Sequence, residues 1–378
     1  MKIAIIRRKF TFHGGAEIFI NRLIESLKGS DFDITLISEN WNKDKNKTSK
    51  KFKTIQIPSF GFFRAVKFLT FQFSIIFLLR KVKFDIIQSH ERLLGADIYR
   101  LGDGLHLAWL KRYKAICPWY KKLFLSIDPY HAFICFLEKK MAKANNLIFV
   151  ANSQLVKYEL ISFYNVAEKR IRLIPNGITL SEFSRVQTKE KWKFKKKIGI
   201  DPYSPCIVFI GSGFFRKGAF ELVKSIQYLD GFQLILVGYD KEIRKIKKLA
   251  NLMGLCNRIK FFGPQKNINI FLNAADIYAL PSLYDPLPNS GIEALSSGLP
   301  LIITADVGLA EDVIDFNAGV VVTRDPKSIA KGILEASEKI TYMSNNAFRL
   351  SKKFDASKIS IEWINLYKSI KSSRQAII

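Results

Sequence analysis

The stretch Cys206-Ile207-Val208-Phe209-Ile210-Gly211-Ser212-Gly213-Phe214-Phe215-Arg216-Lys217-Gly218 decides the fold. Its first residues are uninterruptedly apolar, which reads as a strand buried on both faces. Glycines then bracket a loop carrying an Arg–Lys pair, and residues 219–229 continue at helical spacing. A buried strand, a turn and a helix make up the repeating unit of a parallel sheet. The same alternation extends both ways along the chain. Strands are predicted at 2–6, 33–38, 52–57, 84–88, 146–151 and 170–174, with helices at 14–28, 62–81, 119–143 and 154–164. After residue 200, strands are predicted at 206–210, 232–237, 260–262, 277–279, 301–304 and 319–322. Helices at 219–229, 242–253, 268–274, 289–297 and 327–339 separate them. This is an α/β pattern with helices on both faces of parallel sheets. So many strands exceed one small domain and fit two doubly wound domains in series. Such domains, facing each other, leave a cleft lined by loops at the carboxyl ends of their strands.

A length of 378 residues agrees with two domains. The seam follows Pro175-Asn176-Gly177-Ile178. There the charged run 188–197 (TKEKWKFKKK) leads through Asp201-Pro202-Tyr203-Ser204-Pro205 into a new strand, and Pro and Gly beside a charge run mark a boundary. The hydrophobic share of 48% and charged share of 25% exclude a disordered, collagenous or coiled-coil chain.

Charge is the outlier. Lys and Arg number 60 against 33 Asp and Glu, a net +27, which implies an anionic partner: nucleic acid, a lipid surface or a phosphorylated small molecule. Residues 1–178 carry +17 of this and the remainder +10, so the first half is the more cationic. Cys117, Cys135, Cys206 and Cys256 form no CxxC pair, as expected in a reducing compartment. Residues 1–8 read as a first strand rather than a signal peptide. The longest apolar run, 68–79, is broken by Thr70, Gln72 and Ser74, and a spanning helix needs about 20 residues. A cytoplasmic protein is expected. Residues 107–122 combine Trp109 and Trp119 with several Lys and Arg; such a stretch is more often a core face with solvated ends, but the mixture also suits an anionic lipid surface.

Four constellations could carry chemistry. His13-Gly14-Gly15-Ala16-Glu17 joins the first strand to a helix, where glycines allow close ligand approach and the helix start offers N–H groups to anions. A plain tight turn explains it equally. The Gly211–Gly218 loop can hold a diphosphate through Arg216 and Lys217, and it lacks the spacing of a nucleoside triphosphatase loop. The third runs from Pro281 through Asp285-Pro286-Leu287-Pro288-Asn289-Ser290-Gly291-Ile292-Glu293 to Leu295. It sets two carboxylates across a helix start, with the amides of Asn289, Ser290 and Gly291 turned toward the loop. Glu293 alone could be an ordinary first-turn glutamate. The fourth, Leu101-Gly102-Asp103-Gly104-Leu105-His106, reads first as a turn. Asp31-Phe32-Asp33 matches a D-x-D metal motif only by coincidence, since it precedes a strand. The histidines lack metal-ligand spacing, and no G-x-S-x-G elbow occurs.

Together these motifs resemble glycosyltransferase family 4, retaining enzymes of the GT-B architecture, over essentially the whole chain. The markers are Gly14-Gly15-Ala16-Glu17, Ile174-Pro175-Asn176-Gly177, the Gly213–Gly218 loop, Ala275-Asp276, and Asp285-x7-Glu293 followed by Ser297-Gly298-Leu299-Pro300. Arg100-Leu101-Gly102-Asp103-Gly104 and the Gly211–Gly218 loop are most similar to the lipopolysaccharide core glucosyltransferases. The resemblance implies two Rossmann-like domains: 1–178 for the acceptor and 179–356 for the nucleotide sugar. The final helix, 357–378, would cross back to the first domain with Ile361, Trp363, Ile364 and Tyr367 at helical spacing.

It also implies site roles. Arg216 and Lys217 would stabilise the diphosphate as the glycosidic bond breaks, without metal. Glu293 would hold the donor ribose and Asp285 the transferred sugar. Asn289, Ser290 and Gly291 would contact phosphate or sugar, and Gly14 and Gly15 would approach the donor. Asp103 would orient the acceptor hydroxyl. Asp285 stands where the family usually has Glu. The implied reaction moves a hexose, glucose from UDP-glucose, to a lipopolysaccharide core or related lipid-linked acceptor. It would take place at an anionic, cytoplasmic inner-membrane surface, with no cofactor beyond the donor and no nucleic acid. A capsular or soluble acceptor, or a non-catalytic polyanion-binding protein, are the alternatives.

Overall fold

The computed structural model describes residues 1–10, 15–27, 31–41, 53–183 and 185–375. Gly14 lies outside the described residues. The chain divides into two compact units: Met1–Gly177 with Ala356–Ile378, and Ile178–Asp355.

The first unit is built on a seven-stranded sheet. In spatial order its strands are Lys53–Gln56, Asp33–Ser38, Lys2–Ile6, Ile86–Ser89, Ile98–Arg100, Ile148–Ala151 and Ile171–Leu173, all parallel. The central strand Lys2–Ile6 is buried from Ile3 onward, as its apolar run requires. The three-residue strand Ile98–Arg100 was not expected, because its sequence leads straight into Gly-Asp-Gly and ends on Arg. The second unit has a six-stranded parallel sheet in the order Ile259–Phe262, Gln233–Val237, Cys206–Ile210, Ile277–Leu280, Leu301–Thr304 and Gly319–Val322. Here the expected strands appear within a residue at either end.

Three expectations change. The helix expected at 119–143 is two helices, Trp119–Ile127 and Pro129–Lys143. Asp128 ends the first and caps the second, its carboxylate accepting from the Tyr130 amide at 2.8 Å, and Pro129 fills the first turn. The loop expected at 211–218 contains a helical turn, Phe214–Lys217. The charged run 188–197 is no linker. Its helix, Lys191–Lys197, docks on the second unit through Asp276, which accepts from Lys191 at 3.1 Å, Lys195 at 3.0 Å and the Cys206 amide at 2.9 Å.

The C-terminal helix Ala356–Gln375 belongs to the first unit. Its apolar stripe, Ile359, Trp363, Leu366, Tyr367 and Ile370, enters the core formed by Ile3, Phe19, Ile20 and Ile86. The Tyr367 hydroxyl donates to Gln88 Oε1 at 2.6 Å. Gly177 lets the chain pass this helix, since a Cβ there would lie 2.9 Å from Ala356 Cα. Trp363 is fully buried between Phe19 and Tyr367, with ring centroids 6.0 and 5.6 Å away. Trp363→Ala is expected to destabilise the first unit by about 3–5 kcal/mol in urea unfolding; a loss under about 1 kcal/mol would contradict this docking.

Candidate active site

The carboxyl end of the strand Cys206–Ile210 organises the second unit's site. The turn Phe214–Lys217 is held at both ends. The Phe214 amide donates to Asp240 Oδ2 at 3.0 Å, and the Phe215 carbonyl accepts from Arg324 Nη2, which also reaches Glu221 at 3.1 Å. Gly218 then turns the chain at φ +79° into the helix Ala219–Ser225, and a Cβ there would sit 2.1 Å from the Pro281 carbonyl oxygen. Only glycine meets both demands.

This turn aims Arg216 and Lys217 at Asp285. Lys217 Nζ lies 3.0 Å and Arg216 Nη1 3.5 Å from Asp285 Oδ2, and Arg216 Nη1 also donates to the Tyr284 carbonyl at 2.6 Å. Asp285 and Lys217 are 10% and 11% exposed, and Arg216 is 37% exposed. Burial pushes the Asp285 carboxyl upward, but Lys217 and Arg216 outweigh it and hold the group below its usual value, so Asp285 is ionised. The Asp285 backbone is fixed: its amide donates to Asp306 O at 3.0 Å and its carbonyl accepts from Gly308 N at 2.8 Å.

Across the following helix, Asn289–Ser296, Glu293 is buried. Ser290 Oγ bonds the Tyr278 hydroxyl at 2.8 Å and donates to Ile210 O at 3.1 Å, tying the helix start to two strand ends. Tyr278 was not singled out in the sequence, where it is one apolar-strand residue among many. The Gly291 amide differs from expectation, since it donates to Pro288 O at 3.0 Å. A Cβ on Gly291 would meet Leu309 at 2.8 Å, so packing explains this glycine. The structure thus brings Arg216, Lys217 and Asp285 into contact and sets Asn289, Ser290 and Glu293 on the adjoining helix.

In the first unit, Gly15 opens the helix Gly15–Ser26. Asp103 sits on the turn after the strand Ile98–Arg100 and accepts from Arg7 Nη1 at 2.8 Å. Arg7 was not anticipated, because it lies on the far side of the sequence from Asp103. Desolvation acts to raise the Asp103 carboxyl, and Arg7, Arg92 and Arg100 overrule it to about 2. With 61% of the side chain open to solvent, water screens part of that pull. Below the turn, Arg100 is buried, lies 3.5 Å over the Phe19 ring and donates to Asn176 Oδ1. Burial, with Arg7 nearby, lowers it to about 9. A Cβ at Gly102 would fall 2.2 Å from Arg100 Nη1, so the Gly-Asp-Gly turn fits over this guanidinium. Asp33 of the D-x-D match pairs with Lys53 at 2.8 Å. Among the described residues no three His, Cys, Asp or Glu gather as a metal site.

Two family models match this chain: "Glycosyltransferase Family 4" over residues 13–182 and "Glycosyl transferases group 1" over residues 190–349. Between them the two models span most of the chain, which is a glycosyltransferase of the GT-B architecture. An uncharacterized glycosyltransferase of Methanocaldococcus jannaschii, MJ1607, is 26% identical over 227 residues, 57% of this chain and 58% of its own length. The lipopolysaccharide glucosyltransferase WaaG of Escherichia coli is 22% identical over 330 residues, 85% of each protein. A crystal structure of WaaG, 18% identical, superposes with a TM-score of 0.81 over 97% of this chain and 99% of its own. Anabaena HepE in complex with UDP-glucose, 16% identical, does so with a TM-score of 0.76 over 98% of this chain and 100% of its own.

For this glycosyltransferase, Gly218→Ala should displace the Phe214–Lys217 turn from Pro281. The expected result is a lowered melting temperature together with at least a tenfold loss of nucleotide-sugar affinity in calorimetry. Wild-type affinity in a folded Gly218→Ala protein would remove the turn from the site.

Proposed function

We propose that this glycosyltransferase is a retaining, metal-independent hexosyltransferase that moves glucose from UDP-glucose to a lipopolysaccharide core or related lipid-linked acceptor. It would work peripherally at the cytoplasmic face of the inner membrane. The observation that carries this is the convergence of Arg216, Lys217 and Asp285 at a strand's carboxyl end beside the helix start at Asn289.

Arg216 and Lys217 are held in place before any donor arrives, so they meet the charge developing on the leaving diphosphate without reorganising. Two fixed cations supply the neutralisation that a divalent ion would otherwise give. Glu293 would hold the donor ribose and Asp285 a hydroxyl pair of the hexose. Asn289 and Ser290 would contact phosphate or sugar. Gly14 and Gly15 would approach the donor from the first unit. Asp103, kept ionised by Arg7, would accept a hydrogen bond from the attacking hydroxyl and orient it. The leaving phosphate oxygen takes that hydroxyl's proton as the new bond forms on the face the nucleotide leaves, so the anomeric configuration is retained. No cofactor beyond the donor is needed. Glucose and the lipopolysaccharide acceptor are supported by the names of the relatives WaaG and HepE.

The surface of the first unit supports the membrane reading. The helix Trp119–Ile127 buries none of its residues. Trp119, Leu123, Phe124 and Ile127 are 58–77% exposed, and Lys121 and Lys122 lie among them. Such a helix can lie in a lipid interface, each basic residue adding about 1 kcal/mol on anionic lipid. No described helix is long and apolar enough to cross a membrane.

Transfer of radiolabelled glucose from UDP-glucose to a truncated lipopolysaccharide core, with hydrolysis in the absence of acceptor, tests the activity. Arg216→Ala and Glu293→Ala should each lower kcat/KM by at least about a hundredfold. Variants that match wild type while polyanion binding persists would replace the enzyme by a binding protein. The surface is tested separately by sedimentation with vesicles. Binding is expected to phosphatidylglycerol but not phosphatidylcholine, weakening with salt and falling in Phe124→Glu. Equal binding to both lipids would remove the electrostatic argument.

A further inference from the structure

Asp285 has a second task, which rests on the donor reading above. Arg216 and Lys217, the side chains assigned to the diphosphate, are both directed at one oxygen of Asp285, at 3.5 and 3.0 Å. A diphosphate and Asp285 are therefore rivals for the same two cations. Lys217 is largely buried, where a cation left without an anion is costly, and the attraction between opposite charges is strong.

We propose that Asp285 is an internal counter-ion: it occupies the cations of the diphosphate site until a nucleoside diphosphate displaces it, and its release makes the carboxylate available to the sugar. The parts that stay and the part that moves can be told apart. Arg216 keeps its anchor on the Tyr284 carbonyl at 2.6 Å when the carboxylate leaves. The stem of Lys217 lies in the space that Gly211 leaves open, with Cδ 2.8 Å from the point where a Cβ would stand. The Asp285 backbone is bonded to Asp306 and Gly308. With the Asp285 backbone held, rotation of its side chain is the smallest change that exchanges partners. A nucleotide without its sugar thus has to overcome the counter-ion and receives nothing in return, whereas a sugar nucleotide regains the carboxylate as a hydroxyl acceptor. The site thereby discriminates against its own nucleotide product.

The test is isothermal calorimetry on the full chain with inorganic pyrophosphate, UDP and UDP-glucose, comparing wild type with Asp285→Asn, Asp285→Ser and Asp285→Glu. Thermal melts establish that each variant is folded. Removing the charge should tighten pyrophosphate and UDP about tenfold, since it removes a competing anion at contact distance from both cations. UDP-glucose should gain less, so its preference over UDP falls, and Asp285→Glu should stay near wild type. If Asn and Ser variants that are folded bind pyrophosphate and UDP no tighter than wild type, the counter-ion is wrong. The donor reading would survive that result provided wild type binds UDP-glucose and Arg216→Ala does not. If neither wild type nor any variant binds these ligands, the counter-ion and the donor reading fall together.

Discussion

Two cations and a carboxylate meet at the carboxyl end of the strand Cys206–Ile210, within 3.0 and 3.5 Å, and much of the second unit is arranged around that fact. Neither Lys217 nor Asp285 could be buried alone at acceptable cost. Their neighbours are accordingly backbone groups held in fixed directions. Tyr284 O faces Arg216, Asp306 and Gly308 pin the backbone of Asp285, and Gly218 brings the turn against Pro281. The packing of Gly291 on Leu309 and the bond from Ser290 to Ile210 keep the following helix start at the same strand ends. Main-chain groups, together with the side chains of Asp240, Arg324 and Ser290, hold the parts in place, which suits a site that must present charge in a set geometry.

The first unit handles its buried charge differently. Arg100 has the Phe19 ring beneath it and Asn176 beside it instead of an acid. Arg92 is paired with the buried Glu138 at 2.9 Å, and Glu138 also receives the His106 amide at 2.7 Å and the Tyr164 hydroxyl at 2.8 Å. These contacts fix the segment from Gly102 to His106 from below, so Asp103 is the part of it that reaches solvent. A turn in the sequence thus becomes a carboxylate presented on a rigid base.

The fold was largely legible because strands buried on both faces carry continuous apolar runs, as 206–210 and 301–304 do, and such runs need no distant partner to be recognised. Failures came where the deciding partner is far away in sequence. Residues 188–197 read as a charge run marking a boundary, whereas Lys191 and the buried Lys195 are anchors, paired with Asp276 and bonded to the carbonyls of Ala275 and Ser204. Ile98–Arg100 ends on a charged residue whose burial depends on Phe19 and Asn176. The break at Asp128-Pro129 was local, a cap followed by proline, and could have been seen. In the site, Arg216, Lys217, Asp285 and Glu293 each stood out by position at a strand end or helix start. Their pairing did not, nor did Arg7 beside Asp103, since contact is a tertiary property.

The crossing between units has a consequence for how the protein is made. The chain leaves the first unit at Gly177 and returns at Ala356, and the Ile178 amide donates to Phe354 O at 2.8 Å where the two passages run side by side. The second unit is therefore an insertion with adjacent ends, complete once residue 355 has been synthesised. The first unit cannot close its core until Trp363 and Tyr367 emerge, after the whole of the second unit. On the ribosome the half made first finishes folding last, and during that interval the face of Phe19 and Ile20 awaiting the last helix is the exposed apolar surface a chaperone would meet.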